Sequence, residues 1–148
     1  MNDQCPLLGG QMESIRIGVG MTGSFCTFGA IFEALEDLKH RGAEMTFVLS
    51  YHTQRLESRF GKPQNTLERI RELSCAEPIL TVPDAEPLGP KSLIDVFFIA
   101  PCTGNTLAKL AMGITDTAVF RINTPNPKTF ILFPQDFLAF TLTGLDRL

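Results

Sequence analysis

A glycine-rich turn, Ile17-Gly-Val-Gly-Met-Thr-Gly-Ser24, stands between a short apolar run and a helix-spaced one, and it constrains this chain more than any other feature. Ile15 to Val19 reads as a strand. After the turn, Phe25, Phe28, Ile31, Phe32, Leu35 and Leu38 recur on one helical face, with Glu33, Glu36, Asp37 and Lys39 on the other. Gly42 marks the stop, after His40 and Arg41, whose cations suit the negative end of a helix dipole. Met45 to Ser50 then gives a second strand. A strand, a helix and a strand within about 35 residues make a right-handed βαβ unit, hence a parallel sheet.

The turn itself suits an anion. Gly20 and Gly23 permit backbone angles and close approaches that a side chain would forbid, so N–H groups can converge at the positive end of the following helix. Gly18, Gly20 and Gly23 also match G-x-G-x-x-G, the pattern of dinucleotide sites, which an ordinary tight strand-to-helix turn can share. A nicotinamide dinucleotide bound in the usual way needs an acid after the second strand for its ribose hydroxyls. That place holds Ser50-Tyr51-His52-Thr53, so NAD is disfavoured, and Arg55 leaves NADP open. A ligand with one phosphate fits better. FMN is such a ligand, and Thr22, Ser24 and Ser50 suit its phosphate and ribityl oxygens.

Further along, Gln64 to Leu73 fits an amphipathic helix, Pro78 to Val82 a short strand, and the proline-rich stretch Pro83 to Pro90 a loop. Leu93 to Ala100 contains the run Val96-Phe-Phe-Ile-Ala100, too continuous for a half-exposed strand and therefore a buried central one that stops at Pro101. Thr103 or Asn105 can cap the next helix, in which Leu107, Leu110, Ala111 and Ile114 form the packed stripe and Lys109 faces out. Thr129 to Phe133 gives one more strand. Two loops, Gly20 to Phe25 and Pro101 to Thr106, thus leave the carboxyl ends of two central strands, which is where open parallel sheets bind ligands.

Composition narrows the partners. At 148 residues the chain is one domain, and a net charge of −3 without a basic run offers no footprint for nucleic acid or an anionic membrane. Cys5, Cys26, Cys75 and Cys102 lack zinc or Cys-x-x-Cys spacing, so reduced thiols, no metal and a cytoplasmic location are expected. Cys26, in the first turn after the glycine loop, and Cys102, in the facing loop, are candidates for a shared pocket. Residues 1–14 read as a flexible leader ahead of an α/β domain over 15–148. His52 is a candidate acid, base or carboxylate partner, set against an ordinary loop histidine.

Several segments carry a resemblance to a known family: Arg16-Ile-Gly-Val-Gly-Met-Thr-Gly-Ser24, Ser58-Arg-Phe-Gly61, Ala85-Glu-Pro-Leu-Gly-Pro-Lys91, and Ile99-Ala-Pro-Cys-Thr-Gly-Asn-Thr-Leu-Ala-Lys-Leu-Ala111 with Thr115-Asp116. They resemble the flavoproteins, a family that includes the homo-oligomeric flavin-containing cysteine decarboxylases. Ser58 to Gly61 and Ala85 to Lys91 are similar to one branch, the B subunits of dipicolinate synthase. The resemblance implies a single-domain, three-layer α/β fold with a parallel sheet, Rossmann-like or flavodoxin-like, assembling into trimers or multiples of them. It places Gly23 and Ser24 at the flavin phosphate, next to the cofactor candidates Gly20 and Thr22 of the turn, Ser50 beside the ribityl chain, and Thr103, Gly104, Asn105 and Thr106 near the ring and substrate, with Asn105 next to the reacting centre. It implies oxidation of dihydrodipicolinate to dipicolinate during sporulation, with NAD(P) held by a partner, the A subunit of dipicolinate synthase. Arg59 and Lys91 are then candidates for the carboxylates of this small dicarboxylate substrate. The likeness runs from Ile15 to Val119, so the C-terminal part is altered or shortened relative to the family, and the later Pro-x-Met-Asn signature of the decarboxylases has no counterpart. Two other functions stay open at this point: an assembly subunit with a vestigial flavin pocket, and a flavin-dependent decarboxylase or prenyl transferase.

Overall fold

A computed structural model of the chain describes residues 15–55, 57, 62–88, 90, 91 and 93–122, together with the backbone of 129–134. Strand β1 (Arg16–Met21) leads through a short 3-10 turn, Phe25–Thr27, into helix α1 (Phe28–His40), and strand β2 (Glu44–Leu49) follows. Helices α2 (Tyr51–Arg55), α3 (Pro63–Leu73) and α4 (Val82–Ala85) precede strand β3 (Val96–Cys102). Helices α5 (Gly104–Ala111) and α6 (Ala118–Arg121) and strand β4 (Thr129–Pro134) complete the described residues. The strands pair in the order β2-β1-β3-β4, all parallel, so β1 and β3 are central as the sequence implied.

Period-two alternation splits the core into two layers, one on each face of the sheet. Ile17, Val19 and Met21 of β1 point to the face covered by Phe28, Ile31, Phe32 and Leu35 of α1 and by Ile70 and Leu73 of α3. Phe97 and Ile99 of β3 point to the other face, where Ala85, Leu88, Ile94, Ala118, Val119 and Ile122 cover them. The expected three-layer α/β fold is therefore present. Helix α1 ends as Gly42 suggests: its φ is +90°, Gly42 N–H donates to Lys39 C=O, and Ala43 N–H donates to Leu38 C=O. That double closure satisfies the last carbonyls at a position where a Cβ would be strained.

Several expectations need correction. Pro78 to Val82 does not form a strand; a single bridge joins Ile79 to Val48, and α4 begins at Val82. The Thr81 hydroxyl accepts from Asp84 N–H, and Pro83 occupies the first turn, where a missing N–H costs nothing, so capping outweighs the apolar run. The proline-rich stretch accordingly holds α4 and a 3-10 turn, Glu86–Leu88, rather than loop alone. Strand β3 does not stop at Pro101 but runs on to Cys102. In α5 the buried residue is Thr106, whereas Leu107 and Ala111 are exposed and Leu110 is half-buried. The helix turns off at Gly113, with φ +70°, before Ile114 is reached. Lys109, half-buried, pairs with the exposed Asp116 at 2.6 Å and lies over the Phe120 ring, 6.0 Å from its centroid. Among the described residues no helix is long and apolar enough to cross a membrane. Residues 1–14, expected as a leader, and the Asn123 to Pro127 segment lie outside the described residues.

Candidate functional site

The carboxyl ends of β1, β2 and β3 bring three segments together: 22–27, 50–53 and 103–106. Each strand end is tied to its neighbour by a side-chain hydroxyl. Thr22, which is buried, donates from Oγ1 to Pro101 C=O at 2.6 Å and accepts from Thr103 N–H at 3.3 Å. Thr53, fully buried at the start of α2, donates from Oγ1 to Met21 C=O at 3.2 Å. With that proton committed, Ser50 Oγ is the donor in its 3.0 Å contact with Thr53 Oγ1. Sequence reasoning missed Thr53; the signal available was the Ser50-x-x-Thr53 spacing at the opening of a helix, the pattern of a capping pair.

Second-loop residues are organised by the start of α5. Thr103 is its N-cap: Oγ1 accepts from Thr106 N–H at 3.2 Å and contacts Thr106 Oγ1 at 2.8 Å. Leu107 N–H donates to Thr103 C=O, the first bond of the helix. Gly104 and Asn105 sit in the first turn, exposed, where N–H groups have no intrahelical acceptor. In the first loop, Ser24 N–H donates to Thr22 C=O, and Ser24 is only 6 % exposed. Its hydroxyl makes no capping bond; the one partner described for it is Cys26 Sγ at 3.8 Å. Gly23 lies against α2, since a Cβ there would meet His52 Cβ at 3.2 Å.

Other candidates fall elsewhere. Gly20 is not in the loop but inside β1, opposite Val48 and Ile99, and a Cβ on it would come to 3.0 Å from Phe97 and 3.1 Å from Val119. Neither it nor Gly18 has a positive φ. Two of the three glycines in the dinucleotide-like pattern therefore serve packing inside the sheet. Lys91 is exposed in the turn leading into β3, and that strand starts beside Arg16 at the opposite end of the sheet, so the loops do not gather it. Arg59 lies outside the described residues. His52 is exposed, next to Tyr51, over whose ring Arg55 stacks at 4.5 Å.

The two thiols differ. Cys26 is exposed, whereas Cys102 is buried and its pKa is pushed up to about 11 by desolvation. A raised pKa means that the fold favours the neutral thiol, so this contribution to stability is present below the ordinary value of 9.0 and lost as pH rises toward 11. We expect iodoacetamide at pH 8, followed by peptide mapping, to label Cys26 and Cys75 in the native protein and to spare Cys102. Equal labelling of all three would contradict the buried placement. No group of three or more metal-binding side chains occurs among the described residues.

The segments 22–27, 50–53 and 103–106 contain hydroxyls, amides and a histidine but no Asp or Glu. With the first turn of α5 opening into the same region, the surroundings favour an anion. A family model described as Flavoprotein matches residues 8–134. The chain belongs to the flavoprotein family. This flavoprotein is 38 % identical over 142 residues to the dipicolinate synthase B subunit of Bacillus subtilis (strain 168), covering 93 % of its own length and 71 % of that protein. It is similar in structure to the dipicolinate synthase B subunit from Bacillus halodurans, with TM-score 0.65 and 28 % identity, covering 90 % of this chain and 71 % of that one. A dodecameric FMN-dependent UbiX-like decarboxylase from Escherichia coli O157:H7 shares the fold, with TM-score 0.61 and 20 % identity over 90 % of this flavoprotein and 76 % of that chain.

Proposed function

We propose that this flavoprotein is the B subunit of a dipicolinate synthase, holding FMN between its two loops. On this proposal it acts with the nicotinamide-binding A subunit to oxidise dihydrodipicolinate to dipicolinate. The observation that carries the reading is Ser24, a buried residue whose hydroxyl makes no capping bond, in a loop without carboxylates that Thr22 straps to the N-cap of α5. The residues fit the group. Gly23 and Ser24 would meet the phosphate, Ser50 would accept from a ribityl hydroxyl, and Gly104 and Asn105 would face the ring. FMN, when bound, supplies redox chemistry. The substrate loses two electrons and two protons, formally a hydride that ends on the nicotinamide of the A subunit and a proton released to solvent. In this scheme Asn105 orients the substrate through its amide, and Thr103 and Thr106 hold the first turn of α5 in place. A homo-oligomer is part of the proposal, supported by the dodecameric assembly of the structural relative.

Titration of FMN into the purified protein should give a saturable change in the flavin absorbance bands. The protein mixed with the A subunit should support dipicolinate formation. Asn105→Ala should lower that turnover while the complex still assembles. Protein that leaves the flavin spectrum unchanged and gives no dipicolinate with the A subunit would overturn the proposal. Unchanged turnover in Asn105→Ala would favour an assembly role instead.

A further inference from the structure

The hydroxyl of Thr22 has no capacity left to donate to a ligand, and where it is spent follows from Pro101. Parallel pairing between β1 and β3 runs from Ile17 opposite Val96 to Gly20 opposite Ile99 and goes no further. Proline has no N–H, so the main-chain ladder cannot be carried through position 101. At that level Thr22 Oγ1 takes over, giving its proton to Pro101 C=O at 2.6 Å and receiving the Thr103 N–H at 3.3 Å. The first contact is buried and the second partly so. The same three atoms fix the end of β3 and the N-cap of α5, since Thr103 is the residue whose hydroxyl caps that helix.

We infer that Thr22 is a positioning residue. Its hydroxyl straps the second loop to the first and so sets the gap between Ser24 and the first turn of α5, without touching the bound group. This inference rests on the flavin reading above and reassigns Thr22 from ligand contact to support. A direct contact and a strap make different predictions, because only the strap governs the main chain at Thr103.

The test compares Thr22→Val, Thr22→Ser and the wild-type chain, with Ile70→Val as a control that trims the core beneath α3, remote from both loops. Hydrogen exchange of the peptide that includes Thr103 is read without ligand, and FMN affinity is read by titration. Thr22→Val should speed exchange at Thr103 by about tenfold and weaken FMN by about tenfold, the scale of losing one buried hydrogen-bonded contact. Thr22→Ser should restore both, and Ile70→Val should change neither. Weakened FMN with wild-type exchange would mark a direct contact and overturn the inference, as would faster exchange with wild-type FMN affinity. Failure of the wild-type chain to bind FMN would sink the flavin reading instead. Exchange at Thr103 would then decide the strap alone, faster supporting it and unchanged overturning it.

Discussion

Phe97→Ala should lower the unfolding free energy by about 3–5 kcal/mol, the usual cost of emptying an aromatic site in a packed core. Phe97 is fully buried in the central strand β3, directly opposite Gly18 of β1. Its ring spans the space left by two missing side chains: Cδ2 lies 2.6 Å from where a Gly18 Cβ would sit, and Cζ lies 3.0 Å from that of Gly20. Removing the ring therefore opens a cavity along β1 that the backbone cannot close, because both strands are held in register by their ladders. Against a total stability of about 5–15 kcal/mol for a domain, this is a large fraction. The urea midpoint should fall with an unchanged slope, since the same surface is still exposed on unfolding. Phe97→Leu should recover part of the loss. A cost below about 1 kcal/mol would show that the ring is not the filler described.

The elements that periodicity specifies strongly were legible in the sequence, and the exceptions share a cause. The β1-α1-β2 unit was readable because helix-spaced apolar residues, a glycine stop and flanking strands all agree, and α3 was readable through Leu67, Ile70 and Leu73. Pro78 to Val82 misled because a few local atoms, the Thr81 hydroxyl and the first-turn groups around Asp84, decide the conformation there. The α5 stripe misled because a helical apolar pattern says which residues share a face, not what covers it. Leu107 and Ile114 are exposed, while the buried residue is the polar Thr106, held by its bond to Thr103. The site was legible as two loops at one sheet edge. Its straps were not, because Thr22 reaches Pro101 and Thr103 across about 80 residues of chain and Thr53 reaches Met21 only through the strand order. Gly18 and Gly20 were the subtlest case: a sequence pattern cannot distinguish a glycine that admits a phosphate from one that admits a phenylalanine.

That distinction yields the second prediction. Gly18→Ala should cost about 1–3 kcal/mol through overpacking, although alanine otherwise suits a strand better than glycine does. The added Cβ would meet Phe97 Cδ2 at 2.6 Å and Ile94 Cδ1 at 2.9 Å. Ile94 can yield, since the contact is at the free end of its side chain. Phe97 has less room, because moving its ring along the strand carries Cζ toward Gly20, where Val119 and Ile99 lie 3.1 and 3.2 Å from the place a Cβ would take. If the clash with the ring is the whole cost, it must vanish with the ring. In a Phe97→Ala background, Gly18→Ala should therefore be neutral or stabilising, giving a double-mutant coupling of about 1–3 kcal/mol. Additive losses would place the cost in the backbone of β1 instead. Under conditions where the single variant stays folded, its FMN titration should match that of the wild-type chain, since the glycine faces the core and not the loops. A selective loss of flavin affinity in Gly18→Ala would instead return this glycine to the binding turn.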